Sequence, residues 1–345
     1  MLRFKNIVIC ILILILVGCA SCDDSTTVVP QIEQEATSSI EHEEITLTEA
    51  VTEVNTEVNT EVTTEASIEQ DAVFQDVLGL TLQEYEFPSM DGSTATLPLG
   101  EAIAALMMGK NRDECKQYAE FTGTNTAYKR LIDNAADIII VYEQPDDAAE
   151  YRPDAKLESA AIGSDALVFM VNVQNPIESL TAQQVADIYS GKITNWSEVG
   201  GEDADITAYQ RNATSGSQTL MAKLVMGDTP MMAARENYMK SGMSDIITAI
   251  SEYDNGEYAI GYNVYYYVAA MIKDPNIKII AIDGVNPSKD TIANGEYPFS
   301  NNFYAVIRKD SSENSPERRL FHWLQTVEGR ALIDFEGYAP TINKD

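Results

Sequence analysis

Ile206-Thr207-Ala208-Tyr209-Gln210-Arg211-Asn212-Ala213-Thr214-Ser215-Gly216-Ser217-Gln218 reads as one structural unit. A strand-like run ends in an arginine, a turn of small polar residues follows, and a helix begins near Ser217. Two other stretches repeat the loop-to-helix half of this pattern. Asp91-Gly92-Ser93-Thr94-Ala95-Thr96 stands directly before a helix at Pro98, and Thr122-Gly123-Thr124-Asn125-Thr126 stands before a helix at Ala127. Each junction places hydroxyls and backbone N–H groups at a helix N-terminus, where the macrodipole favours an anion. Ser and Thr are also ordinary N-caps, so one junction alone reads as capping. Three together, with an arginine at a strand end, put an oxyanion site on an equal footing with capping.

Outward from these junctions the chain alternates helix and strand. Pro98 to Met108 carries Leu99, Ile103, Leu106 and Met107 at helical spacing and closes on Gly109. Ala127 to Asn134 reads as a helix leading into an apolar strand at Ala136 to Tyr142, and a second strand follows at Ala166 to Asn172. Thr181-x-x-Gln184 has the form of a capping box, opening a helix that Gly191 ends. Strand-like runs recur at Ile206–Arg211, Tyr258–Val264, Ile277–Ile282 and Phe303–Arg308, and Ser315-Pro316 starts a late helix. This order predicts an α/β fold with mostly parallel sheets, and its length predicts two lobes.

Of the 345 residues, 45% are hydrophobic, and the formal net charge is -31. That charge argues against nucleic acid, whose phosphates need Lys and Arg as partners. Two histidines are present: His42 in an acidic stretch, and His322 in Leu320-Phe321-His322-Trp323-Leu324, which reads as a buried helix face. No His or Cys spacing suits a zinc site, and neither metal nor cofactor is expected. Gly-x-Ser-x-Gly is absent and no histidine is placed as a base, so catalysis is not expected. Beyond Cys22 the chain has one cysteine, Cys115, so the body has no disulfide framework.

The N-terminus has the parts of an export signal: Arg3 and Lys5, then the apolar run Ile7 to Val17. That run falls short of the ~20 residues needed to cross a bilayer and suits a signal-peptide core. It ends in Leu16-Val17-Gly18-Cys19, which resembles a bacterial lipobox, so residues 1–18 are read as a lipoprotein signal peptide with Cys19 as the lipidated residue. Residues 19–72 hold fourteen Asp or Glu and no Lys or Arg, and contain a four-residue repeat beginning Thr52-Glu53-Val54-Asn55. Such sequence buries little apolar area and repels itself, and is read as an acidic, disordered tether. Residues 73–345 are the expected binding domain.

Several stretches carry a family resemblance. They are Asn172-x-x-Asn175-Pro176-x-x-Ser179-Leu180-Thr181, Ile188-Tyr189-Ser190-Gly191-Lys192-Ile193-Thr194-Asn195-Trp196 with Val199-Gly200-Gly201, Arg211-x-x-x-Ser215-Gly216-Ser217, and Ala259-Ile260-Gly261-Tyr262. From about Asp91 to the C-terminus the chain resembles phosphate ABC transporter substrate-binding proteins. The resemblance implies a type II periplasmic-binding-protein fold, with a ligand cleft between lobe 1 (73–165 plus 265–345) and lobe 2 (166–264). It implies ligand contacts from Ser93 and Thr94, from Thr124, and from Arg211, Ser215, Gly216 and Ser217. Where many members of the family carry Ser-Asp, this chain has Tyr142-Glu143. Either Glu143 replaces that Asp as acceptor of the phosphate proton, or Tyr142 points into the cleft instead. The implied partners are inorganic phosphate or a similar oxyanion, an ABC permease, and the membrane through the lipid anchor; the chain is expected to be a monomer. Another oxyanion, or a sensor or adhesion role on the same fold, is the alternative.

Overall fold

The computed structural model describes residues 79–234, 238–240, 242–252 and 258–342. The expected signal peptide, Cys19 and the acidic tether lie outside the described residues.

Strands β1 (Met90–Gly92), β2 (Ile138–Val141), β3 (Leu157–Asn172), β5 (Thr207–Ala208), β8 (Ala259–Val264), β9 (Ile277–Ile279) and β11 (Ser300–Arg308) form one sheet in the order β1-β2-β11-β3-β8-β5, with β9 also on β3. Two small pairs stand beside it: β4 (Ser179–Leu180) with β10 (Ala281–Ile282), and β6 (Gln210–Arg211) with β7 (Met239–Lys240). The spine is β3, which is 16 residues long. Its first part, Leu157 to Ala166, pairs with β11, and its second, Leu167 to Asn172, pairs with β8 and β9. One strand thus serves two parts of the sheet, changing partners between Ala166 and Leu167.

The sheet is mixed. β1–β2 and β5–β8 are parallel, whereas β11 lies antiparallel to both β2 and β3, and β3 lies antiparallel to β8 and β9. The expectation of mostly parallel pairing fails because sheet neighbours here are remote in sequence, so alternation along the chain does not report their direction. Within Ile277–Ile282, β9 pairs with Met170–Asn172 and β10 with Ser179–Leu180.

Local chemistry accounts for the elements that frame the cleft. Ile138-Ile139-Ile140-Val141 is an unbroken β-branched run, wholly buried, as a strand covered on both faces requires. Helix α1 (Leu97–Met108) has Pro98 in its first turn and ends on Gly109 at φ 61°. Helix α2 (Thr124–Ile132) starts earlier than Ala127 because Gly123, at φ 97°, turns the chain straight into it. Helix α3 (Ala182–Ser190) carries the expected capping box: Thr181 Oγ1 accepts from Gln184 N–H at 3.0 Å, and Gln184 Oε1 accepts from Thr181 N–H at 2.8 Å. Helix α4 (Gly216–Leu220) continues as a wider helical turn to Met226, and α5 (Met243–Ser251) follows. In helix α6 (Pro316–Trp323) the expected core histidine is exposed. Leu320, Phe321, Trp323 and Leu324 fill one helical face, which turns His322 to the other side.

Candidate functional site

A cleft of about 380 Å³ opens where the three small-residue junctions meet. It brings together Ser93, Thr94, Thr124, Arg211, Ser215, Gly216 and Ser217, all of which were expected from sequence, and it does not include Glu143.

The first two junctions are fastened by Asp91, which is fully buried. Its Oδ1 accepts from the N–H of Gly92 at 2.6 Å and of Thr122 at 2.7 Å; its Oδ2 accepts from Thr122 Oγ1 at 2.7 Å. Arg130 Nε forms an ion pair with the same carboxylate at 2.9 Å. Gly123 N–H reaches Gly92 O at 2.9 Å, and Ser93 N–H reaches Ile140 O at 2.9 Å, so both loops are hung on the end of β2. One acid therefore sets two helix starts side by side. Thr124 stands at the second, buried, and its hydroxyl has no hydrogen-bond partner. A buried hydroxyl left unpaired costs free energy, which a ligand oxygen would recover.

The third junction is held from behind by Tyr262 of β8. Its hydroxyl accepts from Arg211 N–H at 3.1 Å and donates to Gln218 Oε1 in the first turn of α4. Tyr262 is itself packed on Phe169 and Tyr189, with ring centroids 6.1 and 5.3 Å away. Ser215 caps α4, its Oγ accepting from Gln218 N–H at 3.1 Å, and still borders the cleft. The capping and binding readings of this serine are thus compatible.

Arg211 is 5% exposed, and it is the one charged residue lining the cleft among the described residues. Burial lowers its pKa, with Tyr262 and Asp245 acting in the opposite sense; a guanidinium stays protonated regardless. In a chain whose net charge is -31, the cleft is a local island of positive charge. Hydroxyls, two asparagines and first-turn amides surround that charge, and all of these can donate to an anion.

Glu143 lies outside this arrangement. Its Oε2 accepts from Lys223 Nζ at 2.7 Å, and both side chains are more than 40% exposed. The neighbouring Tyr142 borders the cleft instead, and its hydroxyl donates to Asp165 Oδ2 at 2.6 Å. Of the two possibilities left open by the sequence, the geometry brings Tyr142 to the cleft.

Sequence reasoning missed a fourth contributor. Gly242, Met243 and Ser244, at the start of α5, line the cleft together with Tyr267. The signal was Gly242-Met243-Ser244-Asp245, where Asp245 Oδ2 accepts from Gly242 N–H at 2.7 Å and fixes the turn.

Comparison with known proteins agrees with this geometry. A family model described as the PBP superfamily domain matches residues 89–324. The phosphate-binding protein PstS of Bacillus subtilis is 28% identical over 259 residues, covering 74% of this chain and 81% of that protein. Among solved structures, an ABC-type phosphate transport receptor from Vibrio cholerae superposes with a TM-score of 0.55 at 25% identity, covering 72% of this chain and 98% of the receptor. A substrate-binding protein with bound phosphate from Clostridium perfringens gives 0.58 at 24% identity, covering 73% and 98%.

Proposed function

The chain belongs to the PBP superfamily, and on that footing we propose that it is an extracytoplasmic lipoprotein that captures inorganic phosphate, as a monomer, for an ABC importer. One observation carries the reading: a buried arginine faces converging helix starts in a cleft with no carboxylate on its described walls. A buried guanidinium beside hydroxyls and first-turn amides offers an anion charge-assisted hydrogen bonds, and its fork suits a tetrahedral oxyanion. The names of the relatives, phosphate-binding proteins and a phosphate transport receptor, support phosphate over other anions and binding over catalysis. The two lobes supply the means of capture. Ser93, Thr94 and Thr124 stand on one, Arg211 and Ser215 to Ser217 on the other, so an anion touching both sets favours the closed arrangement.

Lipidation at Cys19 would tether the domain, and the acidic stretch 19–72 would hold it off an anionic membrane surface. Titrating the purified protein with phosphate, sulfate and molybdate in a calorimeter tests the ligand. Saturable one-to-one binding of phosphate is expected. Tighter binding of molybdate or sulfate would reassign the receptor to another oxyanion.

A further inference from the structure

We propose that Tyr142 is the acceptor that selects a protonated oxyanion, and that Asp165, buried behind it, gives it that role by accepting its phenolic hydrogen bond. The inference rests on the phosphate reading above. Arg211, hydroxyls and first-turn amides make the described cleft walls rich in donors. Hydroxyls and side-chain amides can accept as well as donate, but they can equally turn to donate to a fully deprotonated anion such as sulfate, so they do not discriminate against it. Phosphate near neutrality still carries at least one proton, and that proton needs an acceptor inside the cleft.

Asp165 is 2% exposed and sits just before β3 changes partners from β11 to β8. Its Oδ1 is occupied by two backbone donors, Ala166 N–H at 2.8 Å and Tyr266 N–H at 3.1 Å. These fix the rotation of the carboxylate and leave Oδ2 to face Tyr142 Oη at 2.6 Å. An ionised carboxylate only accepts, so the phenol must donate. Its proton is then committed inward, and the lone pairs of Oη can only accept. Tyr142 stays neutral, because burial and the negative charge of Asp165 both raise its pKa. The cleft therefore gains an acceptor without gaining a negative charge, which a carboxylate in direct contact would bring. Glu143 is engaged by Lys223 and takes no part.

Replacing Asp165 by Asn makes the idea testable, because the geometry dictates which way the amide turns. The two backbone N–H groups still require an oxygen at the Oδ1 position, so the NH2 must face Tyr142. Oη then accepts from the amide, and its proton turns toward the anion. Full-length wild type, D165N, Y142F and the double variant are titrated calorimetrically with inorganic phosphate and with sulfate at pH 7.5. Wild type should bind phosphate and reject sulfate. D165N should lose phosphate affinity while gaining sulfate affinity, contracting the ratio by roughly tenfold or more. Y142F, which keeps the buried carboxylate but offers no acceptor, should contract the ratio through phosphate alone, and adding D165N to it should leave the ratio unchanged. A purely structural role for Asp165 would weaken both anions by the same factor, and that result overturns the proposal, as does an unchanged ratio in Y142F. Wild type binding phosphate and sulfate equally would overturn the selector and leave anion capture standing. Wild type binding neither would remove the phosphate reading and the selector with it.

Discussion

Gly216 and Thr124 face each other across the cleft so closely that a Cβ on Gly216 would stand 2.7 Å from Thr124 Oγ1. This approach joins the first turn of α4 to the first turn of α2. A glycine is needed at this position for space, and its backbone is ordinary helix.

Gly216→Ala should therefore separate closure from folding. The backbone at Gly216 is helical and accepts alanine, so the fold should survive the substitution. The methyl group would push the two helix starts apart, and phosphate affinity should fall by about tenfold or more, the scale of a disrupted charge-assisted hydrogen bond. Calorimetry and thermal melts on the same sample check both halves. Removing the opposing hydroxyl with Thr124→Ala in the G216A background should recover part of the closure but not the hydroxyl's own contribution.

Glu143 and Lys223 make a different kind of bridge. Their ion pair at 2.7 Å is solvent-exposed, and pairs of this kind are worth about 0–1 kcal/mol. Glu143→Gln should change phosphate affinity by less than about tenfold, and the change should shrink as salt is raised. The ratio of phosphate to sulfate affinity should be unaffected. A large loss of that ratio in E143Q would return Glu143 to the ligand.

Asp165 also leaves a signature in stability. Burial pushes its carboxyl up to about 6, against the hydrogen bonds from Tyr142 and from backbone N–H groups of Ala166, Tyr266 and Tyr265. The folded chain then holds a proton between about pH 4 and 6 that the unfolded chain has released, so this group's contribution to stability falls as pH rises through that window. Tyr142, Tyr265, Tyr266 and Tyr338 around it all have raised pKa values and do not titrate there; Lys289 lines the same small cavity. Denaturant unfolding at pH 4.5 and 7.5 should show wild type losing on the order of 2 kcal/mol more than D165N between the two. Parallel behaviour of the two proteins would contradict the buried-carboxylate assignment.

Anchoring can be checked independently of the cleft. If Cys19 carries the lipid, Cys19→Ala should release the protein from membranes into the medium with phosphate binding intact. Full membrane retention of that variant, measured by fractionation and immunoblot, would argue for another anchor.

The parts of the molecule written in local chemistry were legible from the sequence, and those that depend on which strands meet were not. Thr181 and Gln184 announce a helix start because both partners of the capping box lie within one turn. The Ser93, Thr124 and Arg211–Ser217 junctions could each be read as helix starts, and the fold brings all three to one cleft. By contrast, Leu157-Glu158-Ser159-Ala160 has weak strand character, and only its pairing with β11 draws it into a 16-residue strand. The Glu143–Lys223 pair joins residues 80 apart, and the Tyr142–Asp165 bond spans 23, with no periodic signal to link either. Tyr142 next to Glu143 offered the sequence two oxygens on neighbouring residues; which one turns inward is decided by a carboxylate on another strand.

The most direct test of the central claim is a calorimetric titration of phosphate into wild type and Arg211→Ala side by side. Arg211 is buried at the end of a two-residue strand, and the same melting temperature is expected for both proteins. Wild type should show saturable one-to-one binding, and the variant should lose about 2–5 kcal/mol of it, as when one partner of a buried charge pair is removed. Equal phosphate affinity in the two proteins would contradict the claim, because it would place the anion away from the only charge on the described walls of the cleft.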